Sequence, residues 1–281
     1  MDENPAGYRK GERVYRIDDR KRLLEDVAQI ARGAGAQVME IYAGTIEVLH
    51  KRDASPVTLA DERAEAFITP RLQALSPDVA VVAEEAVAAG GVSQVGAAFW
   101  LVDPLDGTRE FISRNGEFTV NIALVEHGQP VLGVVYAPAL DLLCAGGPGL
   151  GSWMEQGGQR RAIRCRRAPA EGLRVVASRS HGDDTALEAF LAGRSVAASV
   201  SVGSSLKLCL VAQGEADVYP RLGRTMEWDI AAGHAVVAGA GGAVERLDGG
   251  ALTYGKPGFD NPHFAAWGLR TASLAAATTC L

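Results

Sequence analysis

The stretch LVDPLDGTREF, Leu101 to Phe111, constrains this chain more than any other. A short apolar run rich in β-formers, Phe99 to Val102, leads into it. Pro104 has no amide hydrogen and restricts the preceding Asp103 to extended geometry, while Gly107 permits a tight turn. Asp103 and Asp106, three residues apart around the proline, can therefore converge, and the same turn can point the Leu105 carbonyl inward. Hard divalent cations such as Mg²⁺ take carboxylate and carbonyl oxygens, keep several waters, and usually share their site with substrate phosphate. An ordinary surface turn, with aspartates capping the backbone, accounts for the same residues equally well.

Acids elsewhere bear on that choice. The run Val79 to Ala83 is a second strand candidate and ends in Glu84-Glu85, and Asp229 lies in MEWDIAAGH where a helix starts. An N-cap aspartate is worth only about 1 kcal/mol. Capping alone explains poorly why three separate strand ends or helix starts are acidic in a chain of net charge −6.

The rest of the sequence alternates in period. Apolar residues at Leu23/Leu24, Val27, Ile30/Ala31, Ala34, Val38 and Ile41/Tyr42 predict a long amphipathic helix ending at Gly44. A second helix is expected from near Thr58 and Asp61 to Leu75, where Ser76-Pro77 stops it. Strands are expected over Phe118 to Val125, Val131 to Tyr136 and Leu142 to Ala145, the first two joined by the turn His127-Gly128-Gln129. The basic segment GQRRAIRCRR reads as a polar edge hairpin. Beyond Pro169, strand-like Arg174 to Ala177, Val196 to Val202 and Asp217 to Tyr219 alternate with helical Asp183 to Leu191, Ser205 to Gln213 and Asp229 to Val237. This gives a flexible arm over 1–17, an N-terminal α+β part over 18–160, a C-terminal α/β part over 161–270 and a tail over 271–281.

Composition narrows the function. Thirty-four acidic against 28 basic residues disfavour a general nucleic-acid binder, which shows a basic excess. Cys144, Cys165, Cys209 and Cys280 lie far apart, so neither a disulfide framework nor a zinc site is indicated. The charged N-terminus lacks a signal-peptide core, and no stretch approaches the roughly 18 apolar residues of a membrane span. The expected location is the cytoplasm.

An EE at a strand end, then D-P-x-D-G-T, then W-D at a helix start resembles, in that order, the inositol monophosphatase-like family of metal-dependent phosphatases. The resemblance covers about residues 20 to 268. It implies a layered α/β/α/β/α sandwich, two or three Mg²⁺ ions, and metal ligands at Glu84, Asp103, the Leu105 carbonyl, Asp106 and Asp229. Arg-Glu-Phe after DGT resembles the CysQ-type branch, as do VASRSH, GSSLKLCLVAQGEADVYPR and TMEWDIAAGHAV. Those enzymes are 3′(2′),5′-bisphosphate nucleotidases, which convert 3′-phosphoadenosine 5′-phosphate to AMP and phosphate, with the sulfated nucleotide as a side substrate. A role in salvage of a sulfate-assimilation by-product follows, as does inhibition by lithium.

The same resemblance places Thr108 against the attacking water, with Asp61 accepting a hydrogen bond from the Thr108 hydroxyl. On the residues alone, an ST-turn threonine and a first-turn helix acid describe these two better. The amides of Gly107 and Thr108 can cradle phosphate. Lys207, after Gly203-Ser204-Ser205, is the first candidate for the second phosphate, with Ser204 beside it. Arg179 and His181 come next, as phosphate or adenine contacts, and Arg221 after them; a solvated surface charge is the alternative for each. His234 reads as structural. The implied partner is thus a small nucleotide bisphosphate; a homodimer and loose attachment to the cytoplasmic face of the inner membrane stay open. An inositol monophosphatase, a fructose-1,6-bisphosphatase or a non-catalytic nucleotide or Mg²⁺ sensor are the alternatives; REF and GSSLK argue against the first two, and the complete acidic set against the third.

Overall fold

The computed structural model describes residues 15–46, 48–50, 56–91, 95–178 and 184–269. In chain order the elements begin with α1 (Ile17–Ala43), β1 (Val48–His50), β2 (Pro56–Thr58), α2 (Leu59–Leu75), β3 (Ala80–Ala83), α3 (Glu84–Ala88), β4 (Ala98–Asp106) and α4 (Thr108–Ile112). A run of strands follows: β5 (Thr119–Glu126), β6 (Gln129–Ala137), β7 (Leu142–Gly147), β8 (Gly151–Gln156) and β9 (Gln159–Ile163). The remainder is β10 (Leu173–Ser178), α5 (Asp184–Leu191), β11 (Val196–Val202), α6 (Leu206–Ala212), β12 (Val218–Arg221), α7 (Glu227–Gly239), β13 (Ala243–Arg246) and β14 (Phe264–Trp267).

Strand alternation builds the layers. Strands β3 to β9 form a seven-stranded sheet in sequence order, antiparallel except for the β3–β4 pair. On β4 and β5, Trp100, Val102, Ile122 and Leu124 face one side and pack with the apolar stripe of α1 and with Ile68 and Leu72 of α2. Phe99, Leu101, Ala123 and Val125 face the other, against α6 and α7. Because adjacent residues of a strand point to opposite faces, two helical layers can cover one sheet. The second sheet has the order β11-β10-β12-β14-β13. Its Val176, Tyr219, Phe264 and Ala266 close the far side of the α6–α7 layer, while Val175, Val218, Ala265 and Trp267 pack with Phe190 of α5. The result is the expected α/β/α/β/α sandwich, with α7 buried between two sheets, which is why nearly all its side chains are apolar. Gly133 lets that layer approach: a Cβ there would lie 2.3 Å from the Ala232 carbonyl oxygen of α7.

The sheets change over between β9 and β10, yet one cluster of buried residues, from Val82 and Phe99 to Val176 and Phe264, joins both. GQRRAIRCRR supplies β9, whose arginines line the exposed edge of the large sheet; charged edges of this kind discourage strand addition. Several expectations shift. The first helix begins at Ile17, not Leu23, and β4 runs on to Asp106. Most of the expected arm lies outside the described residues, as does the tail from Thr271; where the description starts, Tyr15 is buried and its amide donates to Glu126 Oε1 at 3.0 Å. Among the described residues, no helix is long and apolar enough to cross a membrane.

Candidate active site

The cleft forms where the C-terminal ends of β3 and β4 meet the starts of α6 and α7. Glu84 opens α3 directly after β3, and the two carboxylate oxygens of Glu65 on α2 accept the Glu85 and Ala86 amides at 2.9 and 3.0 Å, fixing that helix start. Asp103 lies inside β4, buried, and its Oδ1 accepts the Leu105 amide at 3.0 Å. Turn chemistry and convergence of acids are therefore both present in this motif. Gly107 adopts φ +92, the left-handed conformation that lets the chain leave β4 and enter α4 at Thr108. Asp229 is the third residue of α7 rather than its N-cap: its Oδ2 accepts the Met226 amide at 2.9 Å and the Thr225 hydroxyl at 2.7 Å.

Glu84, Asp103 and Asp229 each offer an oxygen within 4.8 Å of the others. Burial, and then Glu84, Asp106 and Asp229, push the Asp103 carboxyl well above the usual carboxylate range. Burial, then Asp106 and Glu84, push Asp229 up to about 7. Asp106 is raised by burial and partly restored by the Lys207 ammonium and by hydrogen bonds from Ser205 and Asn121. An all-oxygen set of mutually repelling carboxylates is the donor chemistry of a hard divalent cation, so these residues fit the expected metal.

Glu84, Asp103, Leu105, Asp106, Thr108 and Asp229 all line one cavity of 540 Å³, together with Gly107, Ser204, Lys207 and Arg221. Not every expectation is met there. The Thr108 hydroxyl donates to the Leu105 carbonyl at 3.4 Å, whereas Asp61 Oδ2 accepts the Thr58 amide and hydroxyl at 2.7 and 2.8 Å as half of a capping box on α2. The Thr108–Asp61 bond is not formed, and Asp61 is buried and does not line the cavity. Lys207 is only 5% exposed, and its ammonium donates to the backbone carbonyls of Ser204 at 2.6 Å and Val202 at 3.3 Å. Burial lowers it to about 8. It thereby holds the loop Gly203-Ser204-Ser205, in which Ser204 takes φ +46, a strained value for a non-glycine residue. Arg221 donates to the Arg224 carbonyl at 2.6 Å. Arg179 and His181 lie outside the described residues.

Sequence reasoning missed Glu65, Asn121 and Thr225, each of which grips an acid or the segment carrying it, and it took Ser205 only as part of a phosphate-holding segment. The one signal available was Asn121, a lone amide in the apolar strand TVNIALV.

The comparisons agree with this geometry. The Inositol monophosphatase family matches residues 19–280. The 3′(2′),5′-bisphosphate nucleotidase CysQ of Escherichia coli K12 is 48% identical over 245 residues, 86% of this chain and 98% of its own length. That of Haemophilus influenzae is 34% identical, covering 88% and 93%. Among solved structures, CysQ from Bacteroides thetaiotaomicron, a bacterial member of the inositol monophosphatase family, superposes with TM-score 0.74 at 35% identity, covering 89% of this chain and 98% of its own. An IMPase from Thermotoga maritima gives 0.75 at 27% identity, covering 92% and 96%. With the family matching nearly the whole chain and the acids of its motifs gathered in one cleft, this protein belongs to the inositol monophosphatase family.

Proposed function

We propose that the chain is a Mg²⁺-dependent 3′(2′),5′-bisphosphate nucleotidase that hydrolyses adenosine 3′,5′-bisphosphate to AMP and phosphate, and the 3′-phosphate of the sulfated nucleotide as a side reaction. The observation that carries this reading is the convergence of Glu84, Asp103 and Asp229 on a cavity that Lys207 and Arg221 also line, in a chain 48% identical to a nucleotidase. Two or three ions are assigned to Glu84, Asp103, the Leu105 carbonyl, Asp106 and Asp229. When bound, they supply the positive charge that makes water acidic near neutral pH and stabilises the leaving oxygen.

The chain's own residues then have defined tasks. Water attacks phosphorus, the bond from phosphorus to the ribose 3′ oxygen breaks, and that oxygen takes up a proton. Thr108 orients the water: its 3.4 Å bond to Leu105 is long and readily exchanged. Asp61 is assigned as the acceptor behind Thr108 on the family resemblance of the SPVTLAD and DGT segments. The Gly107 and Thr108 amides hold the transferred phosphate. Arg221, with Arg179 and His181, takes the second phosphate and the base; Lys207 shapes the Ser204 loop and adds its charge. A cytoplasmic location completes the reading.

The test is phosphate release by the purified protein from adenosine 3′,5′-bisphosphate and from inositol 1-phosphate, with Mg²⁺ and with chelator. Mg²⁺-dependent release from the nucleotide is the expected result. Faster release from inositol phosphate would overturn the substrate, and release from neither would overturn the catalytic reading.

A further inference from the structure

Strand β5 is buried along its whole length, yet Asn121, 0% exposed, sits in it opposite Asp103 of β4. A buried amide is unfavourable unless it is hydrogen-bonded, so its partners indicate why the strand carries it. Asn121 Nδ2 donates to Asp106 Oδ2 at 3.3 Å and to Ser205 Oγ at 3.0 Å. The Ser205 hydroxyl passes the connection on, donating to the Asp229 carbonyl at 2.5 Å. Asn121 Oδ1, by contrast, has no partner among the described residues. The donor half of this amide is fully engaged while its acceptor half is left unsatisfied, a pattern that favours neither the strand nor the core around it.

The connection has a specific geometry. Asp106 and Asn121 belong to the seven-stranded sheet, and Ser205 and Asp229 to the helix starts that carry the C-terminal half of the cleft. One amide and one hydroxyl thus tie two acids that come from elements more than a hundred residues apart in sequence. Resting on the reading of Asp106 and Asp229 as cation ligands, we propose that Asn121 and Ser205 form a clamp that sets the spacing of those two acids, Asn121 acting from behind the cavity wall and Ser205 from within it. An amide suits the role because its NH₂ group can only donate to the carboxylate, and it adds no further negative charge to a site that already gathers acids.

The test is a Mg²⁺ titration of the full chain followed by thermal unfolding, for wild type, Asn121→Leu, Ser205→Ala, the double variant and Asp106→Asn. In chelator, Asn121→Leu should unfold within a few degrees of wild type, because leucine keeps the branched four-atom skeleton and removes an unsatisfied oxygen, which offsets the bulk of its methyl groups. Its Mg²⁺ midpoint should rise about 10- to 100-fold, the usual penalty for losing a residue that orients a ligand. Ser205→Ala should shift the midpoint in the same direction, and the double variant should be no worse than Asn121→Leu alone. A midpoint within twofold of wild type for Asn121→Leu, while Asp106→Asn weakens binding, would overturn the clamp and spare the ligand reading. Effects that multiply in the double variant would overturn it as well. An unchanged midpoint in Asp106→Asn would overturn the ligand reading and the clamp with it. Should Asn121→Leu fail to fold, Asn121→Ser and Ser205→Ala carry the same comparison.

Discussion

Replacing Asp229 by asparagine should stabilise this protein when cations are withheld, and only at higher pH. Burial and the neighbouring Asp106 and Glu84 raise the Asp229 carboxyl from 3.8 to about 7, so the cation-free fold holds a proton that the unfolded chain gives up. Below about pH 3 the group is protonated in both states, and asparagine is its near-isostere, able to accept the same Met226 amide. As the pH rises from about 4 to 7, wild-type stability from this group is lost at about 1.4 kcal/mol per pH unit, on the order of 4 kcal/mol in all. For a chain of this size that corresponds to roughly 10 °C in Tm. His234 contributes the opposite slope below about pH 6.5, since burial lowers it to about 4, and it is present in both proteins. The quantity to measure is therefore the difference in Tm between Asp229→Asn and wild type, in chelator, from pH 4.5 to 8. It should be about 2 to 3 °C at pH 4.5 and about 10 °C in favour of the variant at pH 8. Adding Mg²⁺ at pH 8 should raise wild type and leave the variant behind, because only the native site gains ligand-binding free energy. A difference that does not change with pH, or that favours wild type at pH 8 in chelator, would refute the argument that the acids repel one another in a desolvated site.

Two further changes probe what supports the cleft. Glu227, fully buried beside Trp228 and Asp229, accepts the Gly255 amide at 2.6 Å and the Lys256 amide at 2.9 Å and pairs with the Lys256 ammonium at 2.6 Å. Glu227→Gln leaves one of those donors facing an NH₂ group and should lower stability in denaturant titration by about 2 to 3 kcal/mol; Lys256 is partly exposed and can turn to water, which limits the loss. His234→Gln should remove the acid sensitivity that this histidine confers: wild-type stability from it is present above about pH 6.5 and lost as the pH falls to about 4, whereas the variant should show a shallower decline in the same window of thermal unfolding.

The local parts of this protein were legible because their causes are local. Pro104 and Gly107 fix the backbone around Asp103 and Asp106 by their own sterics, and the spacing of apolar residues in α1, α2, β5 and β6 follows from helix and strand period alone. Order along the chain then sufficed to resemble a family, and the fold agrees with it. What the motifs could not supply is which side chains hold the acids. Glu65 meets α3 twenty residues later, and Asn121 meets Ser205 eighty-four residues later, so neither contact leaves a periodic trace in sequence. Lys207 shows the same limit from the other side. Its place after Gly203-Ser204-Ser205 makes it a phosphate candidate in sequence; that α6 is packed between two sheets, so that its buried ammonium is held by the Ser204 and Val202 carbonyls, is not visible there. Asp61 is the opposite case: its residues alone describe a first-turn helix acid, and the cap it forms with Thr58 three residues earlier is a local contact. Sequence by itself determined the chemical kind of each group and its immediate backbone. Tertiary structure alone decided which groups face one another, because desolvation and mutual repulsion exist only once separate strand ends and helix starts are packed around a common cleft.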